Sequence, residues 1–341
     1  MRENIAFVTG ATGLLGSNLV ALLLKEGYRV RALVRSLEKG RRQLADKRVY
    51  LVQGDIQDVA GFKQQLAGVD VLFHTTAYFR EVFGPGEHGT LLEKINVEAT
   101  IELFEAAAQR EIRNIIYVSA LGVLRSPEHG EPFDEGAPYN ETTNNPYFKS
   151  KIVAERAIEQ WLKTPVAQEQ KVRVVQILPG GMWGPGDAAP TSFGQFVIDY
   201  LKRSMPIILP GSVPFVDARD VALAMLRAVE IGKSGERFII GGRSIKVAEV
   251  VRVLEKVSGV PAPRVQLSFP VATVIAGVAE TVAKFTHRPP ALTHDVVEIL
   301  REDFGASSAR AEREFGIHFR PIEETLHDMV EWYRSNGYVS K

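Results

Sequence analysis

Short apolar runs alternate with amphipathic stretches through the first half of the chain. Residues 4–8 form a run of strand length, and behind it Leu14, Leu15, Leu19, Leu22 and Leu23 recur at helical spacing up to a stop at Gly27. Further apolar runs predict strands over 28–34, 49–52, 69–73, 115–118 and 172–178. Long helical patterns cover 91–108 and 147–162, and helical patterns dominate from Lys246 onward. Strand and helix in alternation predict an α/β architecture, a parallel sheet with helices on both faces. Ligands of such sheets bind beyond the carboxyl ends of the strands, so the residues that follow each run are the ones to inspect.

At 341 residues the chain exceeds what one hydrophobic core usually serves, so a large domain and a smaller one are expected. Apolar content of 45% and charged content of 24% are ordinary globular values. Lys plus Arg equals Asp plus Glu, 41 against 41, so no global field favours nucleic acid or an acidic membrane. The absence of cysteine excludes disulfides and thiolate metal sites, and no metal is expected. A cytoplasmic enzyme fits this composition, and the first residues carry no charged-then-apolar leader pattern. Residues 269–285 are the most apolar late stretch, yet they hold Glu280 and Lys284 and are too short and polar to span a bilayer. They are expected to form a buried amphipathic helix, with a helix lying on a membrane surface as the alternative.

The candidate chemistry begins at Thr9-Gly10-Ala11-Thr12-Gly13-Leu14-Leu15-Gly16. A glycine turn between a strand and a helix lets backbone approach a pyrophosphate, and the helix N-terminus adds N–H groups and positive dipole. Gly10, Thr12, Gly13, Leu14, Leu15 and Gly16 are therefore the expected phosphate cradle of a Rossmann-type, doubly wound sheet. Residues 1–178, with a return segment 214–242, would form that domain; 179–213 and 243–341 would form a smaller, mostly helical substrate lobe. The strand over 28–34 ends at Arg35 with no acid before Glu38. A guanidinium there suits a 2′-phosphate, which favours NADP(H), with NAD as the alternative cofactor.

A second signal is Tyr147 and Lys151, four apart on one face of a helix that follows Pro146. An ammonium near a phenol favours the phenolate, which would bring Tyr147 into the range of a general acid/base.

These motifs, with the run Ser150-Lys151-Ile152-Val153-Ala154-Glu155, resemble the extended short-chain dehydrogenase/reductases, the NAD-dependent epimerase/dehydratase family. Within it the chain most resembles the bacterial dihydroflavonol-4-reductase-like group, which includes hopanoid-associated sugar epimerases; Gly241-Gly242, Arg288-Pro289-Pro290 and Ser307-Ser308-Ala309-Arg310 add to that match. The resemblance implies that Asp55 and Ile56 meet the adenine and that Thr75, Thr76 and Ala77 let the cofactor pass the sheet. It also places Pro179, Gly181 and Met182 at the nicotinamide end, with Trp183 as part of an apolar wall. His74 is expected to be a satisfied core histidine, and Asn96 a structural residue. Helices of this family often form a homodimer's four-helix bundle, so a homodimer is expected.

One position departs from the family pattern. Members usually end the fifth strand with consecutive hydroxyls, the second polarising the substrate carbonyl, whereas this chain reads Val118-Ser119-Ala120-Leu121. Ser119 is the candidate for that role only if the strand end bends, because neighbours on a strand face opposite ways. Leu121-Gly122 also replace the Asp-Glu pair of a dehydratase. The reading is thus an NADP(H)-dependent oxidoreductase acting on the carbonyl or secondary alcohol of a small molecule, with Tyr147, Lys151 and Ser119 as its catalytic set. A sugar-nucleotide epimerase is the alternative, with Arg243, Arg264 and Arg288 as candidates for its diphosphate. A third reading, a cofactor-binding regulator with weak chemistry, rests on Ala120.

Overall fold

The computed structural model describes residues 3–79, 88–127, 131–286, 292, 294–301 and 305–339. Along the first half run β1 (Ile5–Thr9), α1 (Leu14–Lys25), β2 (Arg29–Val34), α2 (Leu37–Gln43), β3 (Val49–Gln53), α3 (Val59–Phe62), β4 (Val71–His74), α4 (Gly89–Glu93), α5 (Ala99–Ala108), β5 (Asn114–Val118), α6 (Pro146–Trp161), α7 (Pro165–Glu169) and β6 (Arg173–Pro179). The second half adds β7 (Met182–Trp183), α8 (Ser192–Leu201), β8 (Ile207–Ile208), β9 (Ser212–Asp217), α9 (Ala218–Ile231), β10 (Arg237–Ile240), β11 (Arg243–Lys246), α10 (Val247–Ser258), β12 (Val265–Gln266), α11 (Phe269–Thr286), α12 (His294–Arg301), α13 (Ala309–Phe315) and α14 (Ile322–Ser335).

Seven strands form one sheet in the order β10-β6-β5-β4-β1-β2-β3, all pairs parallel. The order reverses direction at β1 and β4, where a Rossmann-like sheet opens its ligand crevice. The sheet strands are apolar on both faces because helices cover both. On one face α1 and α9 bury Leu15, Leu19 and Met225 with Phe73 and Ile177. On the other, α5 and α6 bury Leu103, Phe104 and Ile158 with Phe7 and Tyr117. A third core, around Trp183, Tyr200, Val250 and Leu326, joins α8, α10 and α14.

Two helical expectations are corrected. The pattern over 91–108 is not one helix: Lys94–Glu98 form a π turn between α4 and α5. Asn96 spends its side chain on Tyr78, accepting from its N–H at 2.7 Å and donating to its carbonyl at 3.2 Å, while the Thr100 hydroxyl bonds the Asn96 carbonyl at 2.9 Å. Side chains that bond backbone in this way distort an α-helix.

Residues 269–285 do form a helix, but its apolar stripe faces outward. Val271, Val274, Ile275, Val278 and Val282 are exposed, Val274 by 67%, while the small Ala272 and Ala276 pack inward with Leu292 and Val297. Among the described residues no helix is long and apolar enough to cross a membrane.

Candidate active site

The chain leaves β1 through Gly10, whose φ of 67° is a left-handed conformation and whose absent side chain leaves room for Thr75. A Cβ on Gly16 would overlap the Gly10 carbonyl, so the helix approaches the turn only because that residue is glycine. Gly13 caps α1 without a side-chain hydrogen bond, leaving the helix N-terminus to an outside acceptor. This cradle fits a dinucleotide pyrophosphate. Thr12 is half-buried in the turn, whereas Leu14 and Leu15 are buried and offer a ligand their backbone alone. Asn18 ties the turn to the loop beyond β6, donating at 2.8 Å to the carbonyls of both Leu14 and Pro185.

Arg35 is exposed at the end of β2, and the neighbouring Ser36 caps α2 by accepting from the Lys39 N–H. Asp55 closes its own turn, accepting from the Gln57 N–H at 3.0 Å, and Ile56 is buried beside it. Beyond β4, the Thr75 hydroxyl donates to the Thr9 carbonyl at 2.7 Å, and the N–H groups of Thr75 and Thr76 both reach Thr9 Oγ1. Ala77 packs near Tyr147.

His74 is satisfied on both nitrogens, 2.8 Å from Thr9 Oγ1 and 3.1 Å from Thr100 Oγ1. Thr100 already donates its hydroxyl proton to Asn96, so His74 donates to Thr100 from Nε2 and accepts from Thr9 at Nδ1. Burial, with the Lys151 charge beside it, pushes His74 down to about 3. It is a neutral structural link between β1, β4 and α5. From Asn96 the hydrogen bonds continue to Ser150 at 3.0 Å and on to the Tyr147 carbonyl at 2.7 Å, fixing the first turn of α6.

That turn begins where Asn145 accepts from the Tyr147 and Phe148 N–H groups, with Pro146 at the first helical position. Tyr147 is 8% exposed, with Leu92 and Ala120 in its cluster and the Phe79 ring edge-on at 4.6 Å. Phe148 flanks it at 5.6 Å. Lys151 donates to the Tyr117 hydroxyl at 3.1 Å and the Val118 carbonyl at 2.8 Å, and lies 5.9 Å from the Tyr147 ring centroid. Burial pushes Lys151 down to about 7 against the opposing pull of Glu155. Burial also pushes the Tyr147 phenol up, so a net lowering by the ammonium is not the outcome in this arrangement.

Ser119 is not placed beside Tyr147. The strand end does not bend; Ala120 continues extended at φ −153° and ψ 145° and takes the place in the Tyr147 cluster. Alternation turns Ser119 the other way, where its hydroxyl donates to the Glu155 carboxylate.

On the far side, Pro179 closes β6, and the Gly181 carbonyl accepts from Val216 N–H at 3.0 Å. Met182 is half-buried against the sheet core. Trp183 is no wall: it is 1% exposed, stacked against Phe193 at 4.5 Å and Phe215 at 5.2 Å inside the lobe core. Arg243 is exposed on β11 and Arg264 is exposed in the loop before β12, and Arg288 lies outside the described residues. Among the described residues no His, Asp and Glu cluster could hold a metal. Sequence reasoning missed Tyr117 and Glu155; the latter extends the spacing of Tyr147 and Lys151 by four more residues, a signal that was there to be followed.

Residues 6–241 match the model of the NAD dependent epimerase/dehydratase family. The chain is 30% identical over 339 residues to a Synechocystis protein named "Putative dihydroflavonol 4-reductase", covering 98% of this chain and 95% of that one. It is 29% identical to sterol demethylase protein B of Methylococcus capsulatus, covering 97% and 99% of the two chains. The crystal structure of gox2253 superposes with a TM-score of 0.84 at 30% identity, covering 99% of this chain and all of that one.

Proposed function

The chain belongs to the NAD dependent epimerase/dehydratase family, and we propose that within it the protein is an NADP(H)-dependent oxidoreductase of a largely apolar ketone or secondary alcohol. The observation that carries this reading is the frame around Tyr147. Its phenol is set among Phe79, Phe148, Leu92 and Ala120, side chains whose surfaces accept hydrocarbon. The names of two relatives, a dihydroflavonol reductase and a sterol demethylase protein, are consistent with a ring-bearing substrate.

In this reading the nicotinamide supplies or takes the hydride. Tyr147 gives its hydroxyl proton to the carbonyl oxygen during reduction and recovers it from the alcohol during oxidation. Lys151 stabilises the phenolate left behind, which burial otherwise disfavours. Ala120 brings no hydroxyl, so the Tyr147 O–H is both the hydrogen-bond donor and the proton source. Arg35, free of a competing acid at the end of β2, is the 2′-phosphate partner.

The test is NADPH oxidation with a panel of cyclic hydrophobic ketones, run beside NADH and beside nucleotide sugars. Turnover confined to the ketones with NADPH supports the reading. Sugar-nucleotide epimerisation, with NAD retained through purification, would replace it.

A further inference from the structure

We propose that Glu155, clamped by the Ser119 hydroxyl, is a positioning residue that keeps Lys151 charged at the end of β5. The proposal rests on Tyr147 and Lys151 being the proton-handling pair. Tyr147, Lys151 and Glu155 follow one another at four-residue steps, so they line one face of α6, and that face lies on the end of β5. Two polar links join helix and strand. Lys151 donates to Tyr117 and Val118, and Ser119 donates back to Glu155. Ser119 therefore acts on the reaction through a carboxylate and not through the substrate carbonyl.

The charges explain the arrangement. Lys151 is 1% exposed and Glu155 is fully buried. Both acceptors that Lys151 reaches are neutral oxygens, which solvate an ammonium without balancing its charge. Glu155 is the carboxylate that raises the proton affinity of Lys151. Burial pushes Glu155 itself towards its neutral form, and donors oppose that, the Ser119 hydroxyl first among them.

The other groups facing Glu155 complete the set. Tyr117 stands near it on β5. From the loop before α6, the Tyr139 hydroxyl lies 3.1 Å from Glu155 Oε2 and 3.0 Å from Glu159 on the next helical turn. From β10, Arg237 reaches Glu155 at 3.6 Å and stacks its guanidinium over the Tyr139 ring at 5.2 Å. Ser119 thus holds Glu155 Oε1 while Tyr139 and Arg237 hold Oε2, and the carboxylate sits one helical turn beyond Lys151.

The experiment follows the Lys151 Cε signal by NMR from about pH 5 to about pH 10, assigned with Lys151→Arg. It compares the parent protein with Ser119→Ala, Ser119→Thr and Glu155→Gln. The parent midpoint is expected at about 7. Losing the counter-charge or its clamp makes the ammonium harder to keep, so Glu155→Gln and Ser119→Ala move the midpoint down by about one unit. Ser119→Thr, which retains a hydroxyl, leaves it in place. If Glu155→Gln fails to fold, the Ala and Thr variants decide by themselves. A midpoint that stays put in folded Glu155→Gln or Ser119→Ala overturns the proposal, as does one that moves as far in Ser119→Thr as in Ser119→Ala. The readout needs no substrate, so it separates this proposal from the functional reading: a shifted midpoint in a protein without reductase activity upholds the charge coupling and discards the reaction.

Discussion

Thr9 donates its hydroxyl to His74 Nδ1 at 2.8 Å, joining the carboxyl ends of β1 and β4 beneath the nucleotide turn. The same oxygen accepts the N–H groups of Thr75 and Thr76, so one hydroxyl and one neutral imidazole tie the two strand ends together.

Acid should release that link. Burial, with the Lys151 charge beside it, holds the folded His74 down at about 3, against its ordinary 6.5. Between those values the unfolded chain binds a proton that the folded chain refuses, so stability is intact above about pH 6.5 and is lost as pH falls towards about 3. Each unit crossed costs at most about 1.4 kcal/mol from this group. Urea unfolding at a series of pH values checks it: His74→Gln should flatten the slope over this window while lowering stability at neutral pH. An unchanged slope would assign the acid sensitivity elsewhere.

Arg35→Ala should weaken NADPH binding by about tenfold or more, the scale of a lost charge-assisted hydrogen bond to phosphate. NADH binding should change little, because no 2′-phosphate is involved. Calorimetric titration of both cofactors reads the difference, and equal losses for the two would remove Arg35 from cofactor choice.

The outward stripe of α11 makes a stability prediction that can be read without knowing the substrate. Val274→Asp should change stability by no more than about 0.5 kcal/mol, since the side chain already meets solvent. Ala272→Asp, on the same helix but fully buried, should cost about 3 kcal/mol or more. Denaturant midpoints decide it, and a large loss from Val274→Asp would mean that the stripe is covered.

The contrast at α11 shows what a hydrophobic pattern can tell. Spacing identified the helix but not its orientation, because a stripe of valines and a row of alanines are both apolar and only packing chooses between them. The sheet strands were legible for the opposite reason: apolar on both faces, they have one place to go. The glycine turn and the shared helix face of Tyr147 and Lys151 were legible because each depends on local spacing alone. The π turn was hidden since it depends on Asn96 meeting Tyr78, eighteen residues earlier. Trp183 and Ser119 were misplaced on similar grounds. Sequence order puts each just beyond a strand end, while the aromatic stack on Phe193 and Phe215 and the carboxylate of Glu155 draw them elsewhere.

Tyr147→Phe reads the proton transfer assigned to Tyr147. The substitution removes the hydroxyl and keeps the ring that packs on Phe79 and Phe148. The measurement is the NADPH-dependent kcat of this variant on the best ketone from the panel, with NADPH affinity determined alongside. Proton transfer from Tyr147 predicts a kcat lower by about 10²-fold or more, in line with the loss of a general acid, and cofactor affinity within about twofold of the parent. A variant that keeps most of its kcat would mean that the proton comes from another group and that Tyr147 is not the acid.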